Sequence, residues 1–123
     1  MPIVAVEPIV DDDWVLRRIH PSQIIDDKNA GTKRPSSGAF TDPDLSADSE
    51  LLLAKFGLDS NHCIKNHAGY SLARVSVQVA RTAGMAVTHT PQEDNPAHTD
   101  VTGKKTKATQ RQLSSSAEWV VIK

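Results

Sequence analysis

The 123 residues carry 14 basic and 15 acidic side chains, a net charge of -1, with 38% apolar residues and 4% aromatics. That length suits one domain with a single modest, mainly aliphatic core, and the near balance of charge supplies no global field drawing the chain to nucleic acid or an anionic membrane. The one cysteine, Cys63, excludes an internal disulfide and a paired cysteine zinc framework, which points to a reducing, cytoplasmic setting with Cys63 as a half-buried bystander.

Residues 1–13 mix apolar side chains with Glu7, Pro2 and Pro8 and end in Asp11-Asp12-Asp13. They read as a flexible or loosely attached segment, with neither the basic flank of a signal peptide nor the long apolar run of a membrane span. Residues 14–123 then form one domain. Residues 14–20 suit a short strand that stops at Pro21. Ser22 to Ile25 suit a turn or brief strand, and Asp26 to Pro35 a loop.

The clearest helix signal runs from Ser46 to Phe56, with Ser46 as N-cap, Asp48 and Glu50 in the first turn, and Gly57 as the terminating residue. Leu45 packs at its entry, and Leu52, Leu53 and Phe56 form its core face. Between Ala73 and Val79 the apolar residues alternate with Arg74, Ser76 and Gln78, the period of a strand. A helix ending at Gly84 competes for 72–83. Strands follow at 85–90 and 97–102, either side of a polar loop from Pro91 to Pro96. The composition of 106–118 favours a helix. Residues 119–122 suit either its continuation or a terminal strand. The expected fold is therefore a small single α+β domain, a short antiparallel or mixed sheet covered by the 46–56 and 106–118 helices.

Two motifs concentrate anion-binding chemistry. Arg17-Arg18-Ile19-His20-Pro21 places adjacent arginines on a strand, so that their side chains leave opposite faces. Arg34-Pro35-Ser36-Ser37-Gly38 places hydroxyls and turn amides beside a guanidinium, whose planar fork matches phosphate or carboxylate. Arg18, His20, Arg34, Ser36 and Ser37 are thus candidate ligand-binding residues. Structural salt bridges and a plain turn into Ala39 and Phe40 are the favoured account of the same residues. Of the five histidines, His62 and His67 lie near Cys63 and Asp59 but match no strong zinc spacing, so no metal site or cofactor is expected. His89 and His98 flank the 91–96 loop and are candidate catalytic residues, an acid and base pair for a phosphodiester. Gly103-Lys104-Lys105-Thr106 lacks the upstream glycine of a phosphate-binding loop, since position 98 is histidine, which rules out an NTPase reading.

The series Arg18-Ile19-His20-Pro21, Arg34-Pro35-Ser36-Ser37-Gly38-Ala39-Phe40, Leu45-Ser46-Ala47-Asp48 and Asn95-Pro96-Ala97-His98 resembles a group of small bacterial proteins of unassigned function. The resemblance covers roughly residues 14–120 and implies a single domain and no activity. An arginine on the first strand followed by a serine-rich segment is also similar to the layout of ADP-ribosyltransferases, which bind NAD. Their catalytic glutamate has no counterpart here, since Glu93 lies in a loop and Glu118 near the end.

Three function classes follow. The first expectation is a non-catalytic accessory or interaction module with a protein partner, of a toxin–antitoxin or defence system. The second is a binder or transferase of a phosphate-bearing ligand such as a nucleotide. The third is a metal-independent histidine nuclease. No membrane association is expected, and nucleic acid is a disfavoured partner because basic and aromatic residues do not interleave.

Overall fold

The computed structural model describes residues 4–27 and 31–122. Six strands form one antiparallel sheet: β1 (Trp14–Ile19), β4 (Asp44–Ser49), β5 (Ser71–Ser76), β6 (Ala86–His89), β7 (His98–Thr102) and β8 (Glu118–Val121). Their spatial order is β6-β7-β4-β1-β5-β8. A separate antiparallel pair, β2 (Ile24–Asp27) with β3 (Thr32–Pro35), lies where the composition suggested a loop. Most of that ribbon is exposed or only half-buried, so its strands show no apolar alternation to read from sequence. Four helices complete the α+β domain: α1 (Glu50–Lys55), α2 (Ser60–Ile64), α3 (Val77–Thr82) and α4 (Lys107–Ser116).

Register fixes two unlike faces. Val15 opposes Val75, Arg17 opposes Ala73, Leu45 opposes Val101, and Val87 opposes Val101 from the other side. With Ile19 and Ala47 these residues form one mostly apolar face, which shares its core with Phe40 and Leu113. The other face carries Leu16, Arg18, Asp48, Leu72, Arg74 and His98, because Leu16 opposes both Asp48 and Arg74, and Asp48 opposes His98. Leu16 meets Leu53, Ala54 and Leu58 on this side. The α1–α2 segment therefore covers one part of it and leaves the polar part beside α2 open.

Two helices begin later than the periodicity predicts, for one reason. Ser46 to Ser49 continue strand β4, and Ser49, not Ser46, caps α1 by accepting from the Leu52 amide. Ser76 likewise ends β5 and caps α3 through the Val79 amide, so the 71–82 stretch is strand and then helix rather than one of them. Both helices stop before a glycine at positive φ, Gly57 at 71° and Gly84 at 95°, where a side chain would be strained. After α4, residues 118–121 form a terminal strand on β5.

The segment before β1 makes specific contacts with the domain. Ile9 is buried in the core, and the Glu7 amide donates to His89 Nδ1 at 2.9 Å. The buried Asp13 carboxylate accepts from Ser49 Oγ, from the Leu51 amide at 3.1 Å and from the Trp14 amide at 2.7 Å.

Ser49→Ala should cost about 1–2 kcal/mol, as expected for loss of an N-cap, while Ser46→Ala should cost far less. Urea denaturation of both variants checks this, and an equal loss at Ser46 would contradict the strand assignment.

Candidate ligand-binding site

The open polar part of the sheet forms the floor of a cleft of about 320 Å³. β1 supplies Arg18, β4 supplies Ser46 and Asp48, and β7 supplies His98, while α2 and the residues after it contribute His62, Cys63, Lys65 and His67. Asn95 enters from the loop between β6 and β7. A second cavity of about 530 Å³ adjoins the first and shares Arg18 and His67 with it. His20, Ser22 and Tyr70 also line this second space, and Tyr70 meets His20 and His67 edge-on at centroid distances of 5.2 and 5.3 Å.

Asp48 organises the first cleft. It is 2% exposed, and a carboxylate so deeply buried needs hydrogen-bond donors to offset lost hydration. Asn95 Nδ2 donates to its Oδ1 at 2.6 Å. Burial, reinforced by the charge of Asp48, pushes the Cys63 thiol far above its ordinary range. Cys63 is therefore a protonated thiol and not a nucleophile. Asn95 Oδ1 accepts from the Ala97 amide at 3.3 Å and lies 3.3 Å from His62 Nε2.

Arg18 reaches across to the Cys63 carbonyl at 3.4 Å. Among the described residues no carboxylate pairs with its guanidinium within salt-bridge distance, whereas Arg17, on the apolar face, reaches the Ser46 carbonyl at 3.0 Å and Asp42 at 3.6 Å. Burial lowers the Arg17 pKa, partly opposed by Asp42. The His67 pKa is also lowered, first by burial and then by the positive charge of Arg18.

The five ligand-binding candidates do not assemble. Arg18 and His20 share the second cavity, but Arg34 donates to Ser114 Oγ at 2.7 Å beside α4. Ser36 and Ser37 open the 3-10 turn that carries the buried Ala39 and Phe40, which is the plain-turn reading. His20 Nδ1 accepts from the Ser22 amide at 3.1 Å, capping the 3-10 turn Pro21–Gln23. The catalytic pair separates as well. His89 opposes Thr99 on the apolar face, while its neighbour His98 opposes Asp48 on the polar one. His89 is 1% exposed, and its two nitrogens are held by the Glu7 amide and, at 2.7 Å, by the Pro96 carbonyl. It pins two segments together and is closed to substrate.

Asp48 and Asn95 stand in two of the motifs quoted above, yet neither is legible there as a site residue, because each acquires its role from the strand register and the loop that meet in the cleft. No family model matches the chain, no curated protein matches its sequence, and no solved structure matches it.

Because Arg18 disfavours the protonated imidazole, Arg18→Gln should raise the His67 pKa toward, but not fully to, its ordinary value. Titration of the His67 ring by NMR reads this directly, and an unmoved midpoint would show that Arg18 does not act there. In the native chain the depressed value favours proton uptake by the unfolded state. The contribution of His67 to stability is therefore full above its ordinary pKa and is lost as pH falls from there toward the folded value.

Proposed function

We propose that this protein binds a small phosphate-bearing ligand of the nucleotide type in the cleft around Arg18. The observation that carries the reading is the position of Arg18, common to both cavities and held only by a long bond to the Cys63 carbonyl among the described contacts. A guanidinium so placed offers a planar set of donors to a phosphate without first breaking an ion pair. Lys65 adds a second cation, and His67, kept short of protons by burial and then by Arg18, gains one more readily once an anion offsets the Arg18 charge. Asp48 opposes anion binding less than its charge suggests, because Asn95 already donates to it.

The polar groups of the first cavity and the rings of the second suit a ligand with both a hydrogen-bonding and a flat part. NAD chemistry of the ADP-ribosyltransferase kind is not favoured. Glu118 is tied to Arg74 at 2.8 Å on the outer strand, and Glu93 does not line either cavity. The accessory-module reading, with a toxin–antitoxin or defence role, needs no such cleft.

Inorganic phosphate and nucleoside monophosphates should raise the melting temperature of the wild type in proportion to occupancy. Arg18→Ala should abolish that rise, and Arg34→Ala should retain it even if the variant starts from a lower melting temperature. A rise that persists in Arg18→Ala would place the ligand elsewhere.

A further inference from the structure

The cleft contains two imidazoles whose nitrogens are assigned different roles by their surroundings. His98 Nδ1 lies 3.1 Å from the Thr90 carbonyl and 2.9 Å from Thr90 Oγ1. A carbonyl can only accept, so Nδ1 carries the proton, and the Asp100 carboxylate at 3.9 Å favours the same tautomer. The neutral ring therefore keeps its basic lone pair on Nε2. His62 is the reverse case. Asn95 turns its amide nitrogen to Asp48 and its oxygen to the Ala97 amide, so His62 Nε2 must donate to that oxygen. Charging His62 then places its second proton on Nδ1. The two rings flank the Asp48–Asn95 pair, since Asp48 is the cross-strand partner of His98 and Asn95 the partner of His62.

Building on the ligand reading above, we propose that the cleft cleaves ribonucleotide phosphodiesters, with His98 as the base and His62 as the acid. His98 Nε2 takes the proton of the 2′-hydroxyl, and that oxygen bonds to phosphorus. The bond from phosphorus to the 5′-oxygen breaks, and the 5′-oxygen receives the Nδ1 proton of charged His62. The products are a 2′,3′-cyclic phosphate and a free 5′-hydroxyl, so atoms and electrons balance without a co-reactant. The nucleophile fits this site because a 2′-hydroxyl is already held beside its phosphorus. An imidazole then only relays a proton and need not generate hydroxide from water. Arg18 meets the charge that develops on the phosphoryl oxygens. This arrangement replaces the His89 and His98 pair, which the sheet divides.

The test uses a short single-stranded RNA, with the same sequence in 2′-deoxy form as a ligand that cannot react. Wild type should cleave the RNA in the presence of chelator to cyclic phosphate ends and should bind the deoxy strand without cutting it. His98→Gln and His62→Gln, purified identically and folded as judged by a cooperative melt, should each lose about a hundredfold or more in rate, far more than any loss of deoxy-strand affinity. Binding of the deoxy strand with no RNA cleavage would overturn the catalytic proposal and leave the ligand reading standing. Cleavage undiminished in both folded variants, or cleavage of the deoxy strand, would also overturn it. Absence of binding to phosphate, mononucleotide and deoxy strand alike would remove the ligand reading and this proposal with it.

Discussion

The fold turns on Asp13. Its side chain, 2% exposed, sits at the entry to the central strand β1 and receives the Ser49 hydroxyl and the Leu51 amide from the first turn of α1. Its carbonyl takes the Val77 amide at 3.1 Å, where α3 begins. One residue thus supplies acceptors to both strand-to-helix junctions, β4 to α1 and β5 to α3, on the two neighbours of β1. A buried carboxylate is tolerable because a helix-start amide and a hydroxyl replace its water. The return is registration: with Val15 set against Ser49 and Val75, every side chain along three strands is committed to a face.

That commitment produces the contrast between faces. On one side, packed aliphatic residues enclose His89, which is held by its two backbone contacts, and Arg17 is drawn inward to Ser46 and Asp42. Lys105 nearby donates to the carbonyls of Val101, Pro43 and Gly103 at 2.9, 3.2 and 3.3 Å, and burial lowers its pKa. These cations replace hydration with carbonyl oxygens and serve the fold. On the other side Asp48 accepts from Asn95, which orients Asn95 and through it His62. Arg18 and His98 stay at the edge of that network, partnered by carbonyls and Thr90 rather than by carboxylates at close range.

The outer strand β8 is held differently. Arg74 lies 4.1 Å from the Trp14 ring centre and bridges Glu50 and Glu118, and the Glu118 bond is the main cause of its raised pKa. Trp119 Nε1 donates to the Lys33 carbonyl at 2.9 Å, which joins the main sheet to the β2–β3 ribbon. Exposed ion pairs contribute little individually. Their value here lies in tying together strands distant in sequence.

Local chemistry in the sequence determined the α+β class, strand β1, the opposite facing of Arg17 and Arg18, the strands near 86–89 and 98–102, and the glycine stops at 57 and 84. Each depends on alternation, a proline or a glycine, all properties of adjacent residues. The start of α1 was misplaced because Ser46 and Ser49 are equally good caps locally. Only the pairing of 44–49 with β1 and β7 decided that the later serine is used. The same competition hid the strand-to-helix change at Ser76. Tertiary structure alone made Asp48 a buried organiser, turned His89 away from His98, and gathered Arg18, His62, Asn95 and His98 into one cleft. Those relations join residues up to 80 positions apart through register and burial, and no periodicity within a strand or loop encodes them.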